Sequence, residues 1–75
     1  MKARVGAFVS TRDHGLHGHL DRVIIDVHTG RAVAVIVRLP PPRRRAVELP
    51  LSTIHPGLAG AIRLSCSATE LLGMA

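Results

Sequence analysis

The fold turns on His19-Leu20-Asp21-Arg22-Val23-Ile24-Ile25-Asp26-Val27-His28-Thr29-Gly30-Arg31-Ala32-Val33-Ala34-Val35-Ile36-Val37-Arg38-Leu39. Its first part, His19 to Val27, carries Leu20, Val23, Ile24 and Ile25 and reads as a strand. Asp26 to Gly30 is a turn, with Gly30 free to take the positive φ that such a turn needs. Arg31 to Leu39 is the most β-prone segment of the chain, because branched side chains suit a pleated surface. Two β-runs around a tight turn predict a hairpin. The second run is apolar on both faces: Val33, Val35, Val37 and Leu39 on one, Ala32, Ala34 and Ile36 on the other. A strand of that kind is normally covered on both sides.

The flanking sequence extends the same pattern. Val5 to Val9 is a short run ended by Ser10-Thr11-Arg12-Asp13, and Gly15 and Gly18 permit a tight hairpin after it. Pro40-Pro41-Pro42 stops the long run, since proline cannot donate to a ladder. Arg45 to Leu51 alternates, with Val47, Leu49 and Leu51 opposite Glu48, and Ala61 to Ser65 is a fifth short run. Ser67-Ala68-Thr69-Glu70 fits a capping box and opens a short helix, with Leu71, Leu72 and Met74 as its apolar stripe and Gly73 as its expected end. The predicted class is all-β: residues 1–75 form one domain, a small, partly open β-barrel of five to six short strands with a short C-terminal helix.

Composition narrows the function. In 75 residues such a chain buries only about 60% of its unfolded surface. Phe8 is its only aromatic residue, so the core must be aliphatic and thin. One face of Arg31 to Leu39 can enter the barrel, and the other needs the helix or a second molecule. That predicts a homodimer with Ala34, Ile36, Leu71 and Leu72 at its interface. Cys66 is the single cysteine, which excludes an internal disulfide and suits a reducing cytoplasm. The longest apolar run, Ala32 to Val37, is far short of a membrane span, and Val5 to Val9 is too short for the core of a signal peptide. A cytoplasmic protein without membrane insertion is therefore expected.

Asp13-His14-Gly15-Leu16-His17-Gly18, the D-R-V-I-I-D strand Asp21 to Asp26, Thr29-Gly30-Arg31, the valine-rich run to Val37 and Val47-Glu48-Leu49-Pro50-Leu51-Ser52-Thr53-Ile54 occur in that order. This order and spacing resemble the PRC-barrel family over about residues 5–65. The resemblance implies a small, partly open barrel that serves as a binding module. Its members include the cytoplasmic part of a photosynthetic reaction-centre subunit and half of a ribosome-maturation factor. The family shares no catalytic constellation, so none is carried over. The proline- and arginine-rich segment Pro40 to Arg45 departs from the pattern, and the ribosome factor's other domain has no counterpart in these residues.

Three sharper readings compete with a plain adaptor. His14, His17 and His19, beside Asp13 and Asp21, have donor types that suit zinc or nickel. A glycine-rich turn lacks the rigidity of a three- or four-ligand site, so no metal or other cofactor is expected; a solvated hairpin or a pH-sensitive cluster fits better. Arg43, Arg44 and Arg45, with Arg38 before them, concentrate guanidinium groups in a chain of net charge +5. Their forks can clamp a partner's carboxylates or phosphates. Nucleic acid is the weaker candidate, because readers of single strands stack bases on aromatic platforms and Phe8 stands alone. Ser52 with His55, or Cys66 with a histidine, could name a nucleophile and a base, but nothing brings them together, so no enzyme is expected. The reading is a non-catalytic adaptor or scaffold for proteins, homodimeric, with an acidic partner surface favoured. An RNA- or ribosome-associated factor using residues 43–45 stands second.

Overall fold

The computed structural model describes residues 4–74; the basic N-terminal stretch at Met1, Lys2 and Ala3 lies outside the described residues. Six strands follow one another: β1 (Phe8–Ser10), β2 (His17–Ile25), β3 (Ala32–Arg38), β4 (Ala46–Pro50), β5 (Ile54–Pro56) and β6 (Ile62–Leu64). One helix, α1 (Ala68–Met74), ends the described chain, and 3-10 turns at Leu51–Thr53 and Leu58–Gly60 flank β5. The strands form one curled sheet in the order β4-β3-β2-β1-β6-β5, a half-barrel, as the alternation predicts. Every pairing is antiparallel except β1 with β6, where Val9 stands beside Ile62 and Ser10 beside Arg63.

The turn at Gly30 forms as expected. Its φ is +69°, the Gly30 amide donates to the Asp26 carbonyl at 2.8 Å, and the Asp26 carboxylate accepts from the His28 amide at 2.7 Å. The first hairpin is built differently. His14, not a glycine, takes the left-handed conformation at φ +59°. Gly18 instead lies inside β2, where a Cβ would stand 2.6 Å from the Arg38 carbonyl oxygen. Glycine is needed there so that β3 can approach closely.

Two register shifts redistribute the faces of the central hairpin. Pairing passes from Leu20 with Val37 to Arg22 with Ile36, leaving Asp21 without a partner on β3. It then passes from Ile24 with Ala34 to Ile25 with Ala32, leaving Val33 without one on β2. These bulges bend the strands and re-aim side chains. Val35, Val37 and Leu39 enter the core as expected, but Val33 is 46% exposed. His55, which reads as a loop residue, lies in the edge strand β5 opposite Arg63. Three residues ending in a proline carry too little alternation to be recognised as a strand.

The core is aliphatic: Val9, Leu20, Val35, Val37, Val47, Leu49, Ile62, Leu64 and Leu71 are each at most 2% exposed. Leu71 belongs to this cluster because α1 packs over the inner side of the sheet, against β4. The capping box holds the helix start: Ser67 Oγ accepts from the Glu70 amide at 3.2 Å, and Glu70 Oε1 accepts from the Ser67 amide at 2.9 Å. Gly73 does not end the helix, which runs through it to Met74.

A clasp joins the first hairpin to that helix. Thr11 is fully buried; its Oγ1 donates to Asp13 Oδ1 at 2.8 Å and accepts from the Leu16 amide at 3.1 Å. The Asp13 carboxylate also accepts from the amides of Gly15 at 3.1 Å and Ala68 at 3.2 Å. The Arg12 amide donates to the Cys66 carbonyl at 2.8 Å. The Gly15 amide first, then the Thr11 hydroxyl, hold the Asp13 carboxyl below its ordinary value, and the Ser67 amide does the same for Glu70.

Two tests follow from this architecture. Gly18→Ala is expected to lower Tm by about 5 °C or more, since overpacking typically costs about 1–3 kcal/mol. Gly73→Ala meets nothing within 4 Å and is expected to raise Tm, because alanine in a helix gains roughly 0.5–1 kcal/mol over glycine. Equal effects from the two variants, read by thermal denaturation, would contradict the close approach at Gly18. The second test is acid denaturation. A carboxyl depressed on folding contributes stability that is present above its unfolded pKa and lost as pH falls through the folded one. Stability is therefore expected to decline below about pH 4, the range of free carboxyls. Asp13→Asn, which keeps one side-chain oxygen acceptor, should flatten that decline.

Candidate functional site

Strand alternation and register order the outer face of the sheet into rows. At one end His17, Ser10, Arg63 and His55 stand side by side across β2, β1, β6 and β5. Next come Phe8, His19, Arg38 and Ala46, then Arg22, Ile36 and Glu48, and last Ile24, Ala34 and Pro50. The outer face thus grades from basic and aromatic to apolar.

At the basic end the Phe8 side chain is 47% exposed and stacks on the His17 ring, with centroids 5.2 Å apart and planes 29° apart. The His19 ring meets Phe8 edge-on at 6.1 Å. His14 lies in the turn, where an Arg63 guanidinium N–H donates to its Nε2. A surface pocket of about 470 Å³ opens between Phe8, His14, His17, Leu58, Ile62 and Arg63. His17 and His19 share one side of β2, as period-2 spacing requires. His17 and His19 both meet Phe8 while His14 meets Arg63, and no group of three or more His, Cys, Asp or Glu placed to hold a metal occurs among the described residues.

The basic loop between β3 and β4 is exposed throughout residues 40–45. It is closed by the Leu39 amide donating to the Arg45 carbonyl at 2.7 Å, while the amides of Arg43 and Arg44 point at the Pro40 carbonyl. Arg44 has φ +47°, and the Pro41–Pro42 peptide is cis. Among the described residues no carboxylate pairs with Arg43, Arg44 or Arg45. Arg38, expected to join them, differs: it lies on β3 and donates to Asp21 Oδ2 at 3.2 Å. The bulge at Asp21 puts that carboxylate within reach.

The predicted interface residues separate as well. Ala34 is buried within the chain, its methyl set between its register partners Ile24 and Pro50, and Leu71 lies in the core. Neither presents a side chain to a partner. Ile36 is half-buried on the outer face, while Leu72 is 37% exposed on the helix that covers the inner side. These two therefore belong to different surfaces. The alternation pattern does not single out Ile25, Val27 and Val33, which are 56%, 90% and 46% exposed around the β2–β3 hairpin.

Of the nucleophile candidates, Cys66 is buried, and burial pushes its thiol above the ordinary range, so it is protonated at neutral pH. Ser52 is exposed in the first 3-10 turn and His55 is exposed on β5. No hydrogen bond joins them among the described residues. No helix among those residues is long and apolar enough to cross a membrane. Comparison with protein-family models, with curated proteins and with solved structures gives no match.

Proposed function

We propose that this protein is a non-catalytic, PRC-barrel-like binding module that acts in the cytoplasm as a homodimeric adaptor between proteins. The observation that carries this reading is the uncovered outer face of β2, β3 and β4. The helix serves the inner side, so Ile24 and Ile36 have no second layer above them, and Ile25, Val27 and Val33 stand exposed at the same end. Burying an aliphatic side chain of this size is worth about 1.5–3 kcal/mol. Several must be buried together to offset the roughly 4–15 kcal/mol that association costs. A standard interface takes about 800 Å² from each partner. That is about a sixth of the 5030 Å² surface of this chain, within the reach of one sheet face. The unpaired guanidinium groups of Arg43, Arg44 and Arg45 supply a docking point for an acidic partner, since arginine forks match carboxylates two bonds at a time.

Light scattering at micromolar concentration tests the dimer. The wild-type chain is expected at twice its 8.0 kDa mass, with Ile36→Glu and Val33→Glu both shifted towards the monomer and folded by circular dichroism. A wild-type protein running at 8.0 kDa would overturn the reading. The same three exposed arginines favour RNA as a second reading. Weak binding to RNA with a shallow salt dependence supports the protein adaptor. A steep loss of RNA affinity with salt, removed by Arg43→Gln with Arg44→Gln, would put RNA first.

A further inference from the structure

The pocket beside Phe8 gathers features that the adaptor reading leaves unused. In an aliphatic protein the one aromatic side chain is left outside the core, 47% exposed, although a ring is the most apolar area a residue can bury. Leu58, across the pocket from it, is 90% exposed. The rings of Phe8 and His17, stacked with centroids 5.2 Å apart, both line the pocket.

The charge is equally one-sided. Arg63, His14 and His17 line the pocket, and no acidic side chain does. Arg12 pairs with Glu70 and Arg38 with Asp21, whereas Arg63 has no carboxylate partner among the described residues. Arg63 donates instead to a histidine ring, and its remaining N–H groups are available to a further acceptor. Asp13, adjacent to the pocket's His14 in sequence, is held by Thr11, Gly15 and Ala68. Two residues around the pocket other than glycine hold left-handed backbones: His14 at φ +59° in the turn and Ala59 at φ +55° in the segment between Leu58 and Ala61. Conformations of this kind concentrate at binding sites.

We infer that this pocket binds a small organic anion: a carboxylate or phosphate that meets Arg63, carried on a flat apolar body that lies against Phe8. Its volume, about 470 Å³, falls within the usual span of small-molecule sites, roughly 300–1,000 Å³, and Arg63 and His14 line it together with apolar Phe8 and Leu58. Arginine reads either oxyanion through paired N–H groups. The inference is independent of the dimer, whose proposed surface lies at the opposite end of the same face.

Titration of the full chain followed by proton–nitrogen correlation NMR tests it, with benzoate and phenyl phosphate as probes of the two oxyanions. At least one of them is expected to shift the amides of Phe8, Ser10, Ile62 and Arg63 saturably, with Kd of about 1 mM or tighter. Benzyl alcohol and inorganic phosphate, each carrying only half of the chemistry, should bind at least tenfold more weakly. Arg63→Gln should weaken binding tenfold or more, and Phe8→Leu severalfold, while Arg31→Gln leaves it unchanged. The spectra themselves report that each variant is folded. Absence of saturable shifts at these amides with both probes would overturn the site. So would inorganic phosphate binding as tightly as phenyl phosphate, or Arg31→Gln weakening binding as much as Arg63→Gln.

Discussion

A curled sheet of six strands has two faces, and the described chain provides one seven-residue helix to cover them. That inequality governs the molecule. The inner face takes the helix and becomes a core of valine, leucine and isoleucine, closed by Leu71. The outer face takes no helix from the described residues. In a protein of this size the apolar stock is small, and leaving branched side chains in water forgoes stabilisation it can ill spare.

The helix reaches its place through the polar clasp. Thr11 and Asp13 sit in the turn between β1 and β2, yet the Asp13 carboxylate receives the Ala68 amide at the start of α1. The parallel pairing of β1 with β6 brings those segments together, since β6 runs directly into Cys66 and the helix. The same pairing sets Arg63 beside Ser10 and so builds the basic end of the outer face. One long-range contact therefore supports both the covered side and the pocket on the uncovered one. The edges are managed too: β4 and β5 are consecutive strands at opposite borders, both short and both ended by a proline, which limits unwanted strand addition.

What could be read from the sequence was local chemistry. Gly30 marks the turn because only a positive φ closes it, and Ser67 with Glu70 marks the helix start because each satisfies the other's amide. Alternation placed His17 and His19 on one side, and Val35 and Val37 on the other. The rest depended on partners distant in sequence. The bulges at Asp21 and Val33 arise from how β2 and β3 pair, and they left Val33 unpaired and exposed and gave Arg38 a carboxylate. Leu71 and Leu72 are adjacent leucines of one helical stripe, and only the docked helix decides which is core. Phe8 was legible as a lone aromatic residue, but its place beside Arg63 required the pairing of strands from the two ends of the chain.

In the proposed dimer a second copy of the chain covers the apolar end of the outer face. Isotope-filtered NOE spectroscopy on a mixture of labelled and unlabelled protein tests it most directly. Intermolecular contacts are expected from the methyl groups of Ile24, Ile25, Val33 and Ile36. A spectrum with no such contacts, or with contacts only from Leu72 and Met74 on the helix, would contradict it.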